Sequence, residues 1–212
     1  MKARSPRVGR YFGLVGVVLL VAFIVGSLFV HRSSLAGTAP GQRVAPFAVP
    51  LALGSLTGAA DIATHANSGS EGRVPACKER GPQILNMCEL YERGPVVLAF
   101  FVDASACTKV LGEMQTLVSE FPNVRFAAVA IRGSRGPVRR LMRSLRLTLP
   151  VGLDFEGGAA ARYKVYSCPQ VNFVYPGGVV QSKALLSNPT LALLRARVSQ
   201  LVLAARAREA AA

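Results

Sequence analysis

Apolar runs separated by small, polar or Gly/Pro-bearing stretches divide this chain into alternating elements. The central one is Pro95-Val96-Val97-Leu98-Ala99-Phe100-Phe101-Val102, continuous, β-branched and aromatic, which predicts a strand buried on both faces of a parallel or mixed sheet. Small or polar residues follow, then a helical pattern placing Leu111, Met114, Leu117, Val118 and Phe121 on one face and stopping at Pro122-Asn123. Val124–Ile131 is a second apolar strand. Ser134 or Gly136 is positioned to cap the helix that follows, with Pro137 in its first turn and Arg139, Arg140, Arg143 and Arg146 on a solvated outer face. A short strand (149–154) and short helix (157–163) come next. The strand 171–175, the hairpin signal Pro176-Gly177-Gly178 and a returning strand from Val179 lead to a last helix from Leu191 to about Ala207. Asn188 or Thr190 opens that helix, and Leu194, Val198, Leu201 and Leu203 are available for packing. Strands alternating with helices and closed by a hairpin imply an α/β fold with a mixed sheet.

The amino end has a different pattern. Lys2, Arg4, Arg7 and Arg10 precede an uncharged apolar run from Tyr11 to Val30, and about 20 such residues suffice to cross a bilayer as a helix. The leading positive charges place the amino end in the cytoplasm and the rest of the chain outside it. A cleaved signal peptide ending near Ser34-Leu35-Ala36 is the rival reading, but the run exceeds a usual signal core, which favours an uncleaved anchor in the cell membrane. Residues 1–30 are thus read as cytoplasmic tail and anchor, 31–43 as a flexible tether and 44–212 as the extracytoplasmic domain. Within it, Val44–Leu51 is a Pro-punctuated edge or opening strand, and residues 54–75 carry no periodicity.

Twenty-five Lys and Arg against 11 Asp and Glu give a net charge of +14, a balance that raises anionic partners. The positives are scattered without aromatic interleaving, so no nucleic acid partner is expected, and GC-rich coding accounts for the arginine. His65 stands alone and the cysteine spacing fits no zinc knuckle, so no metal and no cofactor are expected.

The four cysteines carry the candidate chemistry. Cys77 and Cys88 bracket a short loop, and outside the cell a structural disulfide is the default reading for them. Cys107 sits where the central strand hands over to a helix, where unpaired N–H groups and the helix dipole favour a thiolate. On position alone it is either a reactive thiol or a small buried hydrophobe in a structural bond. Asp103 is placed to cap the helix, and its charge would oppose thiolate formation.

This element order resembles the thioredoxin fold, and more narrowly the redoxin branch of membrane-anchored thiol–disulfide oxidoreductases and peroxiredoxins. The resemblance is carried by Ala45-Pro46-Phe47, by the central strand Pro95–Phe101, and by Asp154-x-x-Gly157-x-x-Ala160-x-x-Tyr163-x-Val165 with Cys168-Pro169, Phe173 and Gly177-Gly178. It covers roughly residues 42–207, with 54–92 as an insertion, and implies a three-layer architecture in which helices flank a mixed sheet. It also implies that Pro169 is a cis-proline facing the active-site turn. Cys168 would then lie within disulfide reach of Cys107, leaving Cys77 with Cys88.

The chain departs from the branch at Ala104-Ser105-Ala106-Cys107, which holds one cysteine where CxxC is usual; the nucleophile position would be Ala104. The Pro and Thr of a peroxidatic frame are replaced by Phe100 and Ala104. The expected function is exchange with protein thiols or disulfides through the non-contiguous pair Cys107 and Cys168 beside Pro169. The alternatives are an inactive binding or scaffold domain with structural disulfides and a peroxide reductase using Cys107.

Overall fold

The computed structural model describes residues 16–21, 36–56 and 74–211. The chain forms two units, residues 1–36 and 37–212. In the first, residues 16–21 are helical, with Val17 to Val21 exposed. Among the described residues no helix is long and apolar enough to cross a membrane. The rest of the expected span Tyr11–Val30, the candidate cleavage site and His65 lie outside the described residues.

In the second unit, five strands form one sheet: β3 (Val96–Phe101), β4 (Arg125–Ile131), β5 (Val151–Asp154), β6 (Gln170–Val174) and β7 (Val180–Leu185), in the order β5-β4-β3-β6-β7. Strands β3, β4 and β5 are mutually parallel; β6 runs antiparallel to β3, and β7 antiparallel to β6. All six residues of β3 are buried, as are all of β5 and β6, because helices and a ribbon cover both faces. β7 is the half-exposed edge.

Alternate side chains divide the core. On one face Val97, Ala99 and Phe101 of β3 meet helices α2 (Ser105–Glu120), α3 (Arg135–Ser144) and α5 (Leu191–Ala210). Helix α2 buries Cys107, Val110, Leu111, Met114 and Leu117, a 3–4 spacing that keeps one stripe on the sheet. Helix α5 buries Leu194, Val198, Leu201 and Ala205 and is capped by Thr190, whose hydroxyl accepts from Leu193 N–H. On the other face Val96, Leu98 and Phe100 meet α4 (Gly158–Arg162) and Tyr163, together with a two-stranded antiparallel ribbon, β1 (Ala48–Pro50) and β2 (Ile84–Asn86). Phe47, Phe100 and Tyr163 form an aromatic cluster with centroids 4.9–6.3 Å apart.

Several sequence expectations are corrected. The interval 54–92, expected as an insertion with a short loop between Cys77 and Cys88, contains regular elements. Residues 57–73 lie outside the described set, but β2 and helix α1 (Met87–Glu92) fall within the interval. A three-residue strand is too short to show a period. Asn86 makes both elements: its side chain accepts from Cys88 and Glu89 N–H at the start of α1 and donates to Ala76 and Glu79 carbonyls. Leu203 is 66% exposed, and Ala205 completes the buried stripe of α5. Asp103 does not occupy the N-cap of α2; Ala104 does, with no side chain to offer. Arg139 is not on a solvated face: its guanidinium donates to the carbonyls of Ala52 and Gly54, beside Arg135, which donates to Leu51, Ala52, Gly54 and Leu56. Backbone carbonyls of the turn after β1 take the place of carboxylate partners.

Gly152 of β5 lies under the ribbon. A Cβ there would meet Val49 Cγ2 at 2.5 Å and Leu85 Cδ2 at 2.9 Å. Gly152→Ala is therefore expected to destabilise by about 1–3 kcal/mol, read from the urea midpoint. Burial pushes the Tyr163 phenol well above its ordinary pKa, with a minor contribution from Tyr91. Its protonated form is kept in the fold while the unfolded chain ionises near pH 10, so stability is fully present below that pH and falls above it, by up to about 1.4 kcal/mol per unit. Denaturant titrations at pH 9 and pH 11 should show a smaller loss for Tyr163→Phe than for the parent chain.

Candidate functional site

Strand β3 ends at Phe101, and the chain turns through Val102 and Asp103 into α2, with Ala104 N–H bonded to Val102 O and Cys107 N–H to Ala104 O, both at 2.8 Å. Cys107 is the third residue of the helix and 7% exposed. Antiparallel pairing of β6 sets Gln170 opposite Phe100, so the preceding residues, Cys168 and Pro169, arrive beside the end of β3. The Cys168–Pro169 peptide is cis. Cys107 and Cys168, 61 residues apart in sequence, are joined as a disulfide with their Cα atoms 5.3 Å apart. Pro169 is buried and Cys168 half-buried. The amide of Val102 donates to Cys168 Sγ at 3.3 Å.

Cys77 and Cys88 are joined as well, Cα to Cα 5.3 Å. This bond ties a single 3-10 turn (Ala76–Lys78) to α1, with Cys88 fully buried and the Tyr91 hydroxyl 3.8 Å from Cys77 Sγ. It belongs to the other end of the sheet: Tyr91 O accepts from Gly177 N–H, in the hairpin beyond the last residues of β6. The structure therefore brings Cys107, Cys168 and Pro169 together and leaves Cys77 and Cys88 apart from them. No free cysteine and no cluster of three metal-binding side chains occurs among the described residues.

Two further groups at the site were not assigned their roles from the sequence. The Val102 amide is a backbone donor and is invisible to a reading of side chains. Of the two candidate caps, Asn188 and Thr190, it is Thr190 that caps the helix, while Asn188 donates from Nδ2 to Ala106 O, one residue before Cys107. Asn188-Pro189 was the available signal, since Asn before a proline marks a turn rather than a helical residue.

The surface around the pair is open: Asp103, Ala104, Ser105 and Ala106 are exposed, and Tyr166 is 72% exposed. A cleft of about 730 Å³ lies elsewhere, lined by residues such as Pro82, Leu90, Arg125, Phe126 and Pro150 at the opening ends of the parallel strands. Its Arg93 pairs with Glu89, and Arg125 Nε donates to the Arg93 backbone carbonyl.

The fold built on the strand order β5-β4-β3-β6-β7 is similar overall to that of several solved structures. The chain has the thioredoxin-like fold. No protein-family profile and no curated protein matches its sequence. Among solved structures it is similar to a secreted disulfide oxidoreductase of Mycobacterium tuberculosis, at 20% identity and a TM-score of 0.51, covering 56% of this chain and 89% of that one. It is also similar to the thioredoxin domain of a thiol-disulfide oxidoreductase from Bacteroides vulgatus (11%, TM-score 0.55, 76% and 99%) and to the peroxidoxin BcpB from Mycobacterium tuberculosis (19%, TM-score 0.54, 80% and 97%). In this thioredoxin-like fold the disulfide joins the helix to the proline turn, whereas a CxxC pair would lie within the helix turn alone.

Replacing Cys77 and Cys88 together by Ala should lower unfolding stability by about 2–4 kcal/mol while leaving the reactivity of the Cys107–Cys168 bond unchanged. Denaturant melts and quantitation of the thiols released by a graded reductant measure the two effects separately.

Proposed function

We propose that this protein is a membrane-anchored, extracytoplasmic thiol–disulfide oxidoreductase whose redox centre is the non-contiguous pair Cys107–Cys168. The observation that carries the reading is the placement of that bond. It joins the first turn of the helix following the central strand to the residue before a buried cis-proline, at an exposed end of the sheet. Both sulfurs have groups suited to a thiolate: the amino terminus of α2 at Cys107 and the Val102 amide at Cys168. Two of the structurally similar proteins are named as disulfide oxidoreductases, which supports the same chemistry here.

Reduction would transfer two electrons to Cys107 and Cys168 from a substrate dithiol, which leaves as its disulfide; the reverse reaction reduces a substrate disulfide. No cofactor is needed, because both electrons are held by the sulfurs. The protein partner supplies a thiol or disulfide. The anchor rests on the uncharged run Tyr11–Val30 behind Lys2, Arg4, Arg7 and Arg10, which holds residues 44–212 outside the membrane in a compartment where disulfides persist. Accessibility of a tag at each end in intact cells and spheroplasts tests this orientation.

Titration of the Cys107–Cys168 couple against dithiothreitol buffers is expected to give a potential between about −270 and −120 mV, the span of exchange proteins. A value below about −300 mV overturns the reading in favour of a scaffold with structural bonds. Cys107→Ser should abolish turnover with a protein disulfide substrate. Rapid stoichiometric thiol oxidation by hydrogen peroxide would instead mark a peroxide reductase.

A further inference from the structure

We propose that the two sulfurs have fixed and unequal roles: Cys168 Sγ is the atom that exchanges with the substrate, and Cys107 Sγ is the resolving and leaving sulfur. The proposal rests on the oxidoreductase reading and assigns the direction of attack within it, opposite to what the helix position of Cys107 alone suggests. Two observations carry it. Access is unequal, since Cys107 is only 7% exposed and packs among Phe101, Val110, Leu111 and their neighbours. Cys168 is half-buried and lies between the half-buried Ser167 and the buried Pro169, close in sequence to exposed Tyr166. Stabilisation is unequal in kind as well. The Val102 amide points at Cys168 Sγ, whereas Cys107 occupies the first turn of a 16-residue helix, whose dipole favours negative charge on the departing sulfur. The exposed residue Ala104, at the head of the helix, has no thiol to compete for substrate.

The steps balance in either direction. Starting oxidised, a substrate thiolate attacks Cys168 Sγ, the Cys107–Cys168 bond breaks, and Cys107 departs as a thiolate in the first turn of α2, where the helix dipole favours negative charge. The substrate's second thiolate then attacks its own sulfur in the mixed disulfide and expels Cys168 as a thiolate bonded to the Val102 amide. The substrate is oxidised by two electrons, both cysteines are reduced, and the protons of the two substrate thiols pass through solvent to the two cysteines. Starting reduced, Cys168 attacks a substrate disulfide and Cys107 resolves the mixed disulfide.

The test maps the mixed disulfide. The oxidised full chain is mixed with excess glutathione, quenched with acid at short times and digested, and the glutathionylated peptide is identified by mass. Glutathione on Cys168 with Cys107 as a free thiol is the expected result; glutathione on Cys107 overturns the proposal. Separately, Cys107→Ser and Cys168→Ser are treated with glutathione disulfide. Cys107→Ser should be modified about tenfold faster than Cys168→Ser, and equal or inverted rates overturn the assignment. The wild-type mapping needs no substitution, so a variant that fails to fold does not blunt the test. The outcomes separate the two claims. A pair that exchanges within the expected potential range but traps glutathione on Cys107 removes only the assignment. A bond that survives excess glutathione with no adduct removes the assignment and the oxidoreductase reading together.

Discussion

Strand β3 has no face to give to water, and the rest of the domain follows from covering it. Six consecutive buried residues, Val96 to Phe101, require apolar partners above and below and hydrogen-bonded strands on both sides. At about 1.5–3 kcal/mol for each large buried side chain, no local propensity in this chain competes with that demand. Helices α2, α3 and α5 cover one face; α4, Tyr163 and the β1–β2 ribbon cover the other. The site is a by-product of the same arrangement. A strand buried to its last residue must leave the sheet sharply, and its exit delivers the Val102 amide and the first turn of α2 to one small region of surface.

The two disulfides have different environments because they answer different needs. The Cys77–Cys88 bond lies where the ribbon and α1 offer little core of their own, and it works alongside the Asn86 hydrogen bonds and the Arg80–Glu92 pair at 2.7 Å. A short closed loop of this kind limits the unfolded chain. The Cys107–Cys168 bond joins segments already held by strand pairing and by a well-packed helix, so the fold has less call on it for support. That contrast supports the proposal that the chemistry lies at the Cys107–Cys168 bond.

Arginine is used here in an uncommon manner. Arg135 and Arg139 lie side by side on α3 with their guanidinium groups turned onto the backbone carbonyls of residues 51–56. Burial, and to a lesser degree its neighbour Arg139, lowers the pKa of Arg135. Five donors in a planar fork can satisfy several carbonyls at once, which a lysine cannot do. Other arginines, among them Arg132, Arg140 and Arg143, are exposed.

The sequence alone determined the large elements and their order, because strands of five to seven residues and helices of ten or more carry enough periods to be seen. It also marked the hairpin at Gly177-Gly178, where both residues have φ of 80–85°, a region open mainly to glycine. It singled out Cys107, Cys168 and Pro169 through resemblance to a fold. What escaped it was short or made by backbone: β2, the Asn86 network, the carbonyl contacts of Arg139, the displacement of Leu203 by Ala205 on the α5 seam, and the Val102 donor. Only the tertiary structure decided that two sulfurs 61 residues apart share a bond, and that Cys168 is the less buried of the two residues. Pairing between β3 and β6 sets that proximity, and it joins strands about 70 residues apart, a long-range contact that forms only when the whole sheet assembles.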